Sequence, residues 1–162
     1  MERSMMRWVL LPILLVALGY MGLSRASVAA PREGIEGVWD ARTYRLAGGS
    51  RHPVRGRIFF QDGHWQVLFF VMDASGNPQR GSGEGGTYEL VGDQLTFQHE
   101  LNLSAGEAVS GLPEAPLRMI ARRPEQSVPE AARAAVVGEA LTLWFPTGNR
   151  LHFERAKSGS TQ

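Results

Sequence analysis

The sequence predicts an all-β protein: a single eight-stranded up-and-down antiparallel β-barrel with one short helix, after an N-terminal signal segment. Three observations predict it. Apolar and polar residues alternate along most of the chain beyond Val38, the period of half-buried strands. Glycine-bearing turns separate these runs at short intervals. The chain has 162 residues, 43% hydrophobic and 20% charged, enough for one domain with a real core. It has no cysteine, which excludes disulfides, thiolate metal sites and a cysteine nucleophile.

The first residues read as a secretory signal. Arg3 and Arg7 precede an apolar run from Trp8 to Leu23, and the small residues Ser27-Val28-Ala29 follow as a cleavage site. Residues 1–29 are thus assigned to a signal peptide, 30–36 to a linker, 37–156 to the barrel and 157–162 to a disordered tail. An uncleaved anchor is the alternative. Loss of Arg3, Arg7, Arg25 and Glu2 takes the net charge from +1 to −1. An exported protein is expected, periplasmic or secreted. Its mature part has no electrostatic reason to bind nucleic acid, and it meets a membrane only through the signal segment.

The expected strands span 38–46, 57–61, 64–72, 87–91, 94–103, 117–122, 140–145 and 150–155. Asp62-Gly63 and Gly92-Asp93 supply tight hairpin turns. Ile58 and Phe60 share a dry face, as do Leu95 and Phe97, Leu117 with Met119 and Ala121, Leu141 with Leu143, and Leu151 with Phe153. Short connections between successive strands imply a meander, and closing it removes both sheet edges. The third strand is apolar on both faces, with Leu68, Phe70 and Met72 opposite Trp65, Val67, Phe69 and Val71. Its outer face is expected to be covered by a helix or by a partner chain.

The segment 73–86 reads as a polar, glycine-rich loop at the barrel mouth. It formally holds a Gly-x-Gly-x-x-Gly, but it leads into a strand and carries Glu84, so nucleotide binding is not expected. Ser127-Val128-Pro129-Glu130 has the spacing of a capping box, and good helix formers follow as far as Val137. A helix ending at Gly138 is therefore expected.

Gly37-Val38-Trp39 and Leu151-His152-Phe153-Glu154-Arg155 together resemble the opening and ending of lipocalin-like barrels. Gly56-x-Ile58-x-Phe60, Asp62-Gly63, Gly86-Thr87-Tyr88-Glu89-Leu90 and Asp93-x-Leu95-Thr96-Phe97 are similar, in order, to bacterial secreted lipocalin-like domains. The resemblance implies that Trp39 packs at the closed barrel end with Arg155 across its indole, an arrangement that cation–π attraction favours.

A barrel of eight strands either fills itself with side chains or holds one small ligand. Trp39, Phe60, Phe69, Tyr88 and Phe97 are the candidate apolar wall, and His99 or Arg45 the polar anchor. No catalytic set, metal site or cofactor is read from the motifs: the four histidines form no close pair. The expected function is a non-catalytic carrier or sensor of a small hydrophobic molecule. One alternative is a barrel enzyme, an isomerase, cyclase or heme protein, using His99. Another is an interaction protein with a packed core and a third-strand interface, such as a homodimer.

Overall fold

Alternation becomes a closed wall when each hairpin returns its strand beside the last. A computed structural model describes residues 34–157. The signal segment and most of the expected linker and tail lie outside the described residues. No helix among the described residues is long and apolar enough to cross a membrane.

Nine strands follow in order: β1 Gly37–Arg45, β2 Arg51–Gln61, β3 His64–Met72, β4 Pro78–Val91, β5 Gln94–Gly106, β6 Ala115–Ala121, β7 Val128–Val137, β8 Ala140–Trp144 and β9 Arg150–Arg155. All pairings are antiparallel. Eight strands close the ring in the order β1-β2-β3-β4-β5-β7-β8-β9, with β9 back on β1. The extra strand, β6, lies end to end with β7 along one edge of β5. It pairs with residues 101–106 of β5, whereas β7 pairs with 94–99.

Three expectations are corrected here. The segment expected to be a helix forms only a 3-10 turn, Pro124–Gln126, and then β7. Ala132 and Ala134 are buried at a period of two, facing Leu95 on β5 and Leu143 on β8. Helix propensity is a weak prior, and a helix of two or three turns is marginal without packing. As a strand, the same segment bonds on both edges and closes the barrel.

The glycine-rich segment is not a loop either, because β4 begins at Pro78. Gly81, Gly83 and Gly85 face outward beside Phe70, Leu68 and Gln66 of β3. A Cβ on Gly81 would lie 2.9 Å from the Phe70 ring. Alternating with these glycines, Arg80, Ser82 and Glu84 point inward.

The core lies toward the end of the barrel where residues 62–63 and 92–93 turn. Trp39, Ile58, Phe60, Leu95, Leu141, Leu143 and Phe153 are all buried there. The outer faces of β3, β5 and β6 present Leu68, Phe70, Leu101, Leu103, Leu117 and Met119 to solvent, with Met119 73% exposed. Leu117, Met119 and Ala121 are therefore not on the dry face, and no helix covers β3. The cause is a bulge in β5. Gly86 faces His99 while Gly85 faces Leu101, so Glu100 is an extra residue. Beyond it the alternation changes phase: Asn102 and Ser104 turn inward, Leu101 and Leu103 outward.

Candidate functional site

At the closed end the interior is full. Phe97 lies 4.4 Å from Trp65 and 6.1 Å from Phe60, ring centre to ring centre. Tyr88 meets Phe60 edge-on at 5.0 Å, and its hydroxyl donates to the Glu36 carboxylate. Burial, and then that carboxylate, raise the Tyr88 phenol above its ordinary pKa. The Trp39 indole N–H donates to the Ile35 carbonyl at 2.7 Å. The Arg155 guanidinium stands 4.0 Å from the Trp39 ring centre and donates to the Glu36 carbonyl at 3.1 Å. Trp39, Phe60, Tyr88 and Phe97 thus sit together in packed core.

Above Phe97 the interior turns polar. His99 stands edge-on to Trp65 at 5.0 Å. Its Nδ1 donates to Glu84 at 2.9 Å and its Nε2 to Glu130 at 3.1 Å. The hydrogen bonds to Glu130 and Glu84 outweigh burial and raise its pKa to about 9. The group is then an imidazolium held between two carboxylates. Burial opposes the charge on Glu84, but bonds from His99 and Ser82 win and hold its pKa below the usual value. Ser82 donates to Glu84 at 2.7 Å, and Ser104 to Asn102 at 3.2 Å.

Beside this cluster lies a cavity of about 270 Å³, lined by Tyr44, Phe69 and Val71 on one side and Ser82, Glu84, Asn102 and Ser104 on the other. Arg80 and Arg118 stand at its margin. Phe69 meets Tyr44 at 6.2 Å, and the Tyr44 hydroxyl accepts from Asn149 at 2.9 Å. Arg80 donates to the Pro113 carbonyl at 2.9 Å, tying β4 to the mouth loop 107–114. His52, buried on β2, hydrogen-bonds the Ser110 carbonyl of the same loop at 2.8 Å.

Of the residues picked from sequence, Phe69 lines the cavity and His99 reaches it through Glu84. Arg45 stands on the outer wall, paired across strands with Arg51 and Arg150. Glu84, Glu130, Ser82 and Asn102 were not anticipated as interior groups. The signal for two of them was present: Arg80, Ser82 and Glu84 alternate with glycines at a strand period. No group of three His, Cys, Asp or Glu side chains among the described residues is placed to hold a metal ion.

No protein-family model matches the chain. A comparison with curated proteins finds no match. Among solved structures the chain is similar to a lipocalin-like protein from Bacteroides uniformis, at 16% identity and a TM-score of 0.45 over 75% of this chain and 97% of that one. It is also similar to an uncharacterized protein from Bacteroides eggerthii, at 17% identity and a TM-score of 0.43 over 75% of this chain and 98% of that one. Eight antiparallel staves in a closed meander, sealed at one end by a tryptophan beneath an arginine, give this chain a lipocalin-like barrel fold.

Proposed function

We propose that this protein is an exported, non-catalytic binding protein that takes one small, largely apolar molecule with a polar end into the open half of its barrel. One observation carries the reading: packing stops above Phe97, and the space beyond it has an aromatic side and a polar side. Tyr44, Phe69 and Val71 offer apolar contact, while Asn102, Ser104, Arg80 and Arg118 offer hydrogen bonds to a head group. Ligand sites of drug-like size span about 300–1,000 Å³, so the guest is small. Both nitrogens of His99 are engaged by carboxylates. The imidazole therefore has no lone pair for a heme iron or a substrate proton, which favours binding over chemistry. The His99–Glu84 pair supports the cavity wall instead.

The test is a titration of tryptophan emission with straight-chain fatty acids of increasing length. Saturable one-to-one quenching, strongest for a short chain and lost in Ser104→Phe, is expected. No saturable response to any chain length, or an unchanged response in the variant, overturns the reading.

A second reading rests on the outer wall. Leu68, Phe70, Leu101, Leu103, Leu117 and Met119 form an exposed apolar band across β3, β5 and β6. β6 also has no strand on its far edge among the described residues. Bands of this kind mark association surfaces, and a second copy of this chain is the proposed cover.

A further inference from the structure

On the outer wall, β2, β1 and β9 lie side by side, and their two ends differ in charge balance. Near the closed end the network is compensated. Arg57 bonds Asp40 at 2.7 Å, and Arg42 bonds Glu154 at 3.0 Å with Asp40 at 3.9 Å. Near the open end Arg45 is the direct cross-strand partner of both Arg51 and Arg150. Directly opposed residues lie about 5 Å apart at Cβ, and like charges there are destabilising. No carboxylate pairs with any of the three arginines among the described residues.

The floor beneath them carries donors. Thr43 is buried under the arginines, and Arg51 Nη2 donates to its hydroxyl at 3.4 Å. His152 faces Thr43 across the strands, and its Nδ1 is engaged by the Thr142 hydroxyl at 3.0 Å. A groove of about 630 Å³ is lined by Thr43, Arg45, Arg51 and His152, with Arg42 and Glu154 also on its wall, and Arg150 flanks it as the cross-strand partner of Arg45.

We propose that Arg45, Arg51 and Arg150 form an anion site for a phosphate group, the chemistry shared by a free phosphate ester and a phospholipid headgroup. A row of guanidiniums on a rigid sheet presents several N–H forks to one oxyanion, the arrangement that favours bidentate charge-assisted bonds. A dianion also removes the repulsion that the register imposes. The local field is already visible at His152. Burial, then Arg51, Arg150 and Arg45, hold its pKa below the ordinary value. Arg42 and Glu154 also line the groove and cancel one another. A bound phosphate therefore raises the His152 pKa.

The experiment follows His152 by NMR titration in the full chain, with and without inorganic phosphate, ionic strength being held constant with chloride. A rise in its pKa with phosphate is expected. Arg45→Gln is expected to weaken phosphate binding about tenfold, the loss of one charge-assisted contact. Arg123→Gln, at an arginine paired with Glu125 on the far connection, is the control. A parallel arm measures flotation with pure phosphatidylcholine vesicles and with vesicles containing phosphatidylglycerol. Only the difference between the two counts, since any apolar segment inserts into both. A His152 response to soluble phosphate without a vesicle difference assigns a free phosphate. A vesicle difference lost in Arg45→Gln assigns a headgroup. No response in either arm, or equal responses in natural chain and Arg45→Gln, overturns the site.

Discussion

His99 shows how one side chain can be held inside a barrel while fully charged. A buried ion is costly unless hydrogen bonds satisfy it. Glu84 and Glu130 do so from opposite sides, and Ser82 supports Glu84. The pH dependence follows from the directions of the shifts. The folded pKa of His99, about 9, lies above its ordinary 6.5, so its stabilisation is complete below pH 6.5 and is lost as pH rises through about 9. Glu84 is shifted down from 4.5, so its contribution is present above that value and is lost as pH falls through the lower one. The His99 shift corresponds to about 2 kcal/mol once the partial exposure of Glu130 is discounted. Urea unfolding of the natural chain is expected to show that loss between about pH 6.5 and 10. In His99→Gln the alkaline decline should shrink and stability near neutrality fall by about 2–3 kcal/mol, because Glu84 is left without its cation. Parallel alkaline profiles for the two proteins would refute the clamp.

Among the elements, β5 decides most. His99 faces inward in phase with Leu95 and Phe97, and the bulge at Glu100 then reverses the alternation, so that Asn102 rather than Leu101 faces the cavity. Gly86 makes the bulge possible: a Cβ there would sit 1.9 Å from the Gln98 carbonyl oxygen, a backbone atom that cannot swing aside. Gly86→Ala should therefore destabilise by about 2–3 kcal/mol and disturb the His99 resonances, as overpacking against backbone does. Gly83→Ala, three residues earlier on the same strand, is the contrasting case. Its Cβ would meet Leu68 at 3.6 Å, an ordinary contact. It is expected to change stability by less than about 0.5 kcal/mol, and thermal melts of the two variants make the comparison. Equal effects would mean that the bulge does not constrain this position.

Across the whole molecule, polarity is arranged in two opposite ways. At the closed end the interior is apolar and the outer wall charged. At the open end one side of the cavity is lined by polar groups, while β3, β5 and β6 show leucines, a phenylalanine and a methionine to the outside. Such a band exceeds what scattered surface apolar residues explain. Size measurement of the natural chain is expected to give a dimer, and Leu103→Ser combined with Met119→Ser a monomer with unchanged far-ultraviolet dichroism. A natural chain that is monomeric at tens of micromolar would remove the self-association reading and leave the ligand reading untouched.

How much was readable depended on where the physics is local. Hairpin turns at Asp62-Gly63 and Gly92-Asp93, and the alternation of Ile58 with Phe60 and of Leu95 with Phe97, act over a few residues and are legible in order along the chain. The closure of β9 on β1 was legible too, because Trp39 and Arg155 sit at the two ends of the meander. The identity of β7 was not. Its alanines favour a helix locally, and only pairing with β5 and β8 at once makes the extended form better. The glycines of β4 read as a loop because their reason for being small, the side chains of β3 beside them, lies on another strand. The clamp of Glu84 and Glu130 on His99 joins residues from three strands, and the bulge at Glu100 changes the phase that alternation assumes. The sequence by itself determined the fold class and the order of most of its strands, since turn chemistry and period are local properties. Tertiary structure decided which faces look inward beyond the bulge, and so where the cavity lies, because register and closure depend on contacts between residues far apart in the chain.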